Sequence, residues 1–161
     1  MATATTTTAL PRLSPDEADA WFGVLNAQAA LVRAVDAELL AAHRLSCSSH
    51  EILYRLARSE EGHLSIGALG AAVVISPSRV SRVVDGLAAL GLVERRACAT
   101  DARVSHVVIT DAGRAALPEI DRTFERAVRE HFLDRLTSAQ VRQLAAIMQR
   151  LGMPGAGECE S

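Results

Sequence analysis

Apolar residues recur at helical spacing through most of the chain, and the breaks between the apolar runs carry helix-capping signals. From Trp21 through Val24, Leu25, Leu31, Val35 and Leu39 the apolar positions follow the roughly 3.6-residue period of a helix. That run predicts one long helix ending at about Ala42. Ser14, Pro15 and Glu17 open it with a capping box and a proline at the first helical position. Ser48 and Glu51 read as a second capping box, opening a helix through Ile52, Leu53, Leu56 and Ala57 that ends near "RSEEGH". Ser65 caps a short helix from Ile66 to about Val73. Ser76-Pro77 starts the next, and Gly91 stops it as a C′ residue.

The period then changes. Leu92–Ala97 and Arg103–Ile109 are short, partly alternating runs rich in Val and Ile on either side of "CATDA", which predicts a β-hairpin. Thr110 caps a further helix from Asp111 to about Leu136, with Pro118 expected to kink or split it. Thr137 and Gln140 form a last capping box before a helix ending near Leu151. Residues 1–13 read as a flexible leader, 14–151 as one folded protomer and 152–161 as a disordered tail. The fold class expected is mainly α: a winged helix-turn-helix core with a short β-hairpin wing at 48–110, flanked by helices at 14–47 and 111–151.

Composition narrows the possibilities. The chain has 161 residues and 49% hydrophobic content, enough for one domain with a real core. No run approaches the ~18 consecutive apolar residues of a membrane span, and the N-terminus lacks a secretory signal, so a cytoplasmic location is expected. The three cysteines, Cys47, Cys98 and Cys159, are irregularly spaced and imply no disulfide framework. All 17 basic residues are arginine.

Net charge is −2, which by itself argues against a polyanionic partner, but its distribution does not. Ser76–Arg114 holds six arginines against four acids, whereas the remainder holds eleven against fifteen. The arginines therefore concentrate on the fourth helix and the hairpin. A helix entering a major groove about 12 Å wide needs short side chains at its start, which Ser76, Ser78 and Ser81 supply. Arg79 and Arg82, three residues apart, share a face and can reach a guanine edge or a phosphate. Arg95 and Arg96 on the first wing strand, and Arg103 past its tip, are placed to follow the backbone or enter a minor groove. Val80, Val83, Val84 and Leu87 are expected to pack on the short helix. Double-stranded DNA is the partner these residues imply.

"LSIGALGAAVVISPSRVSRVVDGLAALGLVERR", with its "GLVER" junction, and "TDARVSHVVITDAGRAAL" resemble the winged helix regulators of the MarR family, from about Trp21 to Leu151. The resemblance implies a homodimeric transcriptional regulator, usually a repressor, whose terminal helices interlock across a two-fold axis on a pseudo-palindromic operator. It also implies that Asp101 braces the wing while Arg103 contacts DNA, although Ala102 separates these two residues where many members have consecutive arginines. A small anionic or aromatic effector is a further implication. In a urate-responsive branch the effector residues would correspond to Trp21, Glu51, Arg82 and Arg95. Glu51 replaces that branch's usual aspartate, and Trp21 is also readable as a core residue.

Two other ways of sensing a signal are open. Cys47, beside a helix start, would have its thiol pKa lowered by the helix dipole, and Cys98 lies in the wing tip. His43, Cys47, His50 and Glu51, with His63 nearby, have spacing that invites a metal, but a helix break falls among them. His131 is placed for the dimer interface. The chain has no G-x-S-x-G, P-loop or G-x-G-x-x-G and no convincing nucleophile-base pair, so no enzyme activity and no cofactor are expected. A winged helix used only for protein contacts is the alternative from a different class.

Overall fold

A computed structural model describes residues 13–73, 75–97 and 105–152. In chain order the elements are α1 (Pro15–His43), α2 (Cys47–Arg58), β1 (His63–Ser65), α3 (Ile66–Ala72), α4 (Pro77–Ala89), β2 (Val93–Ala97), β3 (Ser105–Ile109), α5 (Asp111–His131), a 3-10 turn (Leu133–Arg135) and α6 (Ser138–Arg150). This is the expected winged helix-turn-helix between long helices.

The caps do most of the local work. Both halves of the Ser14–Glu17 and Thr137–Gln140 capping boxes form. Ser65 accepts the Ala68 N–H, and Thr110 accepts the Gly113 N–H. α1 ends where Arg44 turns left-handed, with φ 59°.

Four local expectations need correction. The α2 cap is Ser46, not Ser48: its hydroxyl accepts the Ser49 N–H, and the helix starts two residues earlier. The cause is tertiary, because Asp36 of α1 takes the Cys47 N–H at 2.6 Å. Glu51, freed from any capping role, pairs with Arg55. α5 runs unbroken through Pro118 but stops at His131, where Phe132 leaves helical geometry. Pro118 has no N–H and forfeits one bond of the ladder, which the packed helix tolerates. β1 was not expected at all. It pairs antiparallel with β3, His63 against Val108, giving the sheet order β1-β3-β2.

The core gathers Leu39 of α1, Ile52, Leu53 and Leu56 of α2, Leu69 of α3, Val80, Val84 and Leu87 of α4, Val107 of β3 and Ile120 of α5. Each is essentially inaccessible to water. Burying each such side chain contributes about 1.5–3 kcal/mol before entropy is counted. α1 packs mainly on α5, and α2 bridges α5 to the winged unit. No helix among the described residues is long and apolar enough to cross a membrane.

Candidate nucleic-acid interface

α3 and α4 form the helix pair. Leu69 and Val73 pack against the α4 stripe Val80, Val84 and Leu87, with Val83 partly covered, so the sequence expectation for this face holds. Helical periodicity then turns Ser78, Arg79 and Arg82 to solvent. Neither Arg79 nor Arg82 has a carboxylate partner among the described residues. The first turn of α4 contains no acid, and Ser76 spends its hydroxyl on Ser78, 3.2 Å away, rather than on a backbone cap. An uncapped helix start with two guanidiniums unpaired among the described residues favours an anion.

The wing arginines divide by strand alternation. Val93 points into the core, so Arg95, two residues on, shares its face and meets α4. The Arg95 guanidinium donates to Asp85 Oδ1 from Nη2 (2.8 Å) and Nε (3.2 Å), and from Nη2 to the Ser81 hydroxyl (3.0 Å) and carbonyl (3.2 Å). Ser81 is therefore half-buried, unlike the exposed Ser76 and Ser78. Arg96, on the opposite face, is exposed and pairs with its neighbour Glu94. Cys98, Asp101 and Arg103 lie outside the described residues.

The root of the wing is fixed by the chain around Gly91 and Thr110. Gly91 has φ 73°, a left-handed turn that glycine adopts without Cβ strain. Thr110 donates its hydroxyl to the Gly91 carbonyl (2.7 Å) and its N–H to the Leu92 carbonyl (3.1 Å). Gly113 then packs so tightly that a Cβ there would collide with the same Leu92 carbonyl. The glycine of "ITDAG" is thus a close-approach residue.

The residues weighed for metal binding do not come together. His50 is 7% exposed, donates from Nε2 to Asp121 Oδ1 at 2.7 Å and stacks on Phe124. His43 shares a hydrogen bond with Thr123, and His63 pairs with Glu61 and stacks on His106. Among the described residues the group with metal-ligand spacing is Glu38, Glu130 and His131. Arg126 pairs with Glu38 and His131 Nε2 hydrogen-bonds it at 2.9 Å, so that carboxylate already has partners within the chain. His131 thereby contacts α1 of its own chain.

Cys47 also departs from expectation. Burial, reinforced by the Asp36 carboxylate, pushes its thiol up to about 12 from 9.0. Desolvation and a neighbouring negative charge both disfavour thiolate, and together they outweigh the helix start.

A groove of about 310 Å³ lies between the end of α1, the α1–α2 turn and α4. Arg44, Arg82 and Asp36 supply its charges, and Leu40, Val83 and Leu90 its apolar wall. Of the four residues matched to the effector set, Arg82 lines it, whereas Trp21, Glu51 and Arg95 do not. Trp21 is 58% exposed near the start of α1 and is not a core residue.

Sequence reasoning missed Asp85, Ser81 as an acceptor, and Arg44. Asp85 and Arg95 are ten residues apart across a turn, and no local pattern announces their contact.

A MarR family profile matches residues 45–104. No curated protein matches the chain significantly. Among solved structures, Sco3205, a MarR family transcriptional regulator from Streptomyces coelicolor solved in complex with DNA, is 28% identical. The match covers 91% of this chain and 97% of that one, with a TM-score of 0.79. AbsC, another MarR family transcriptional regulator from Streptomyces coelicolor, is 25% identical over 89% of this chain and 96% of its own, with a TM-score of 0.78. The Bordetella bronchiseptica regulator BpsR, whose DNA binding is regulated by 6-hydroxynicotinic acid, shares the fold. It is 19% identical, covers 90% of this chain and 100% of its own, and has a TM-score of 0.74. Taken with the helix pair, the wing and the order of the flanking helices, these matches make the chain similar, over residues 45–104 in sequence and over most of its length in fold, to the DNA-binding, winged helix transcriptional regulators of the MarR family.

Proposed function

We propose that the chain acts as a homodimeric repressor that reads a pseudo-palindromic operator with α4 and leaves it when a small anionic ligand binds. The observation that carries this reading is the exposed start of α4, where Ser78, Arg79 and Arg82 face solvent while Val80, Val84 and Leu87 hold the helix from behind. Arg79 and Arg82 are the base-reading candidates, Ser76 and Ser78 permit close approach, and Arg96 and Arg103 serve the phosphate backbone, with Asp101 bracing the wing. One such helix reads only a few base pairs. A two-fold pair doubles the contact and sets the half-sites about one helical turn apart.

The dimer is supported by what one protomer leaves uncovered. Trp21, Phe22, Val24 and Leu25 of α1 and Ile147 of α6, with Leu151 just beyond it, are all about half exposed or more. An apolar set of that size on terminal helices supports an interface there. Assigning α1, α5 and α6 to dimerisation gives these side chains a partner. The effector groove is supported by Arg44 and Arg82, two cations beside an apolar wall, which suit an aromatic carboxylate of the kind that regulates BpsR. Arg82 would then serve both DNA and ligand, so that occupancy by one opposes the other.

The experiment is selection of duplexes from a random pool by the purified protein, followed by sedimentation of the complex. A symmetric enriched site bound by two protomers is expected. A selected site without two-fold symmetry, bound by one protomer, would refute the dimeric reading, and no enrichment would refute operator recognition.

A further inference from the structure

We propose that Arg95 is a positioning residue for DNA reading: its guanidinium fastens the first wing strand to α4 through Asp85 and Ser81 and so fixes the angle between wing and helix. This rests on the DNA-binding reading above and assigns Arg95 a role other than contact with the nucleic acid.

The geometry carries the argument. Ser81 and Asp85 lie four residues apart, on adjacent turns of one α4 face. A single planar guanidinium spans both, with two donors on one carboxylate oxygen and the same Nη2 on the hydroxyl and carbonyl of Ser81. β2 is itself held in place: Arg95 pairs in register with the fully buried Val107 of β3, and Val93 beside it is buried. One end of the strut is therefore anchored in the sheet and the other on the helix that carries Arg79 and Arg82. Arg95 is the more sheltered of the two strand arginines, its side chain 32% exposed against 64% for Arg96. Lysine cannot replace it, because an ammonium is a point charge without a fork.

Charge substitution separates a strut from a DNA contact. Asp85 is a negative charge on the DNA-facing side, so a purely electrostatic account has Asp85→Asn tightening binding to any duplex. The strut account has it loosening binding to the selected site, because the wing and α4 no longer hold one relative orientation. The measurement is the affinity of the full chain for the selected duplex relative to a scrambled one, by fluorescence anisotropy, for wild type, Asp85→Asn, Arg95→Ala, Arg95→Lys and the Asp85→Asn/Arg95→Ala double variant. We expect each single variant to lower that ratio by about three- to tenfold, and the double variant to lose no more than Arg95→Ala alone. Melting temperatures should stay near wild type, since a solvent-exposed pair weighs little in global stability. An unchanged or higher ratio for Asp85→Asn, or a wild-type ratio for Arg95→Lys, would overturn the proposal. If the wild-type protein itself enriches no duplex, the DNA-reading assignment fails and the strut role falls with it.

Discussion

Replacing Gly113 by alanine sets two well-known effects against each other. Gly113 is the third residue of α5, and helix propensity alone favours alanine by up to about 1 kcal/mol. Against this, the new Cβ would run into the Leu92 carbonyl and press on the Ile109 side chain. The first obstacle is backbone, held by the Thr110 N–H, and cannot swing aside. Overpacking of this kind costs about 1–3 kcal/mol, and propensity gains are smaller in the first turn than mid-helix. The expected net effect is a loss of about 1–2 kcal/mol, which for a chain of this size lowers Tm by about 2–8 °C. Gly86→Ala is the matched control, because nothing lies within 4 Å of its Cβ position in α4. It should be neutral or stabilising by up to about 1 kcal/mol. Thermal unfolding at one fixed protein concentration, so that assembly does not shift Tm, reads both. A Tm for Gly113→Ala at or above wild type would refute the close-approach argument.

Three further outcomes follow from the same contacts. His50→Ala removes a part-buried hydrogen bond to Asp121 and a ring stack on Phe124, and should cost about 1–3 kcal/mol in urea unfolding; a loss below about 0.5 kcal/mol would contradict the α2–α5 link. Cys47, whose folded pKa of about 12 lies above its ordinary 9.0, contributes stability that is intact below pH 9 and is lost as pH rises toward 12; its peptide should resist iodoacetamide at about pH 8, and prompt alkylation there would contradict the burial argument. The proposed dimer predicts that wild type sediments as a dimer and that the double variant Phe22→Asp/Leu25→Asp, on one exposed face of α1, sediments as a monomer; an unchanged dimer would move the interface elsewhere.

Local chemistry made most of the fold legible. Ser14, Ser65, Thr110 and Thr137 cap where a short polar residue precedes an apolar run, and Gly91 ends α4 because its turn needs positive φ. The stripe Val80, Val84 and Leu87 identified the buried side of α4 and, by subtraction, its exposed arginines. Non-local contacts defeated the reading elsewhere. "SCSSH" offers three candidate caps, and an α1 carboxylate on the Cys47 N–H selects Ser46. β1 is only three residues long and exists because β3 pairs with it. Arg95 and Arg96 are adjacent and chemically identical in sequence, yet strand alternation sends one to Asp85 and the other to Glu94. The inviting His43, Cys47, His50 and Glu51 spacing dissolved because each residue meets a different partner: His43 bonds Thr123 and His50 bonds Asp121 on α5, the Cys47 N–H is taken by Asp36 of α1, and Glu51 pairs with Arg55 within α2.

The central claim is that Arg79 and Arg82 on the free face of α4 read DNA sequence. The most direct measurement is the affinity of Arg79→Ala and Arg82→Ala for the selected duplex and for a scrambled one across a salt series. The account predicts a loss of about 1–3 kcal/mol on the selected duplex for each residue bonded to a base edge, with a much smaller loss on the scrambled duplex. Equal losses on both duplexes, or none on either, would contradict it.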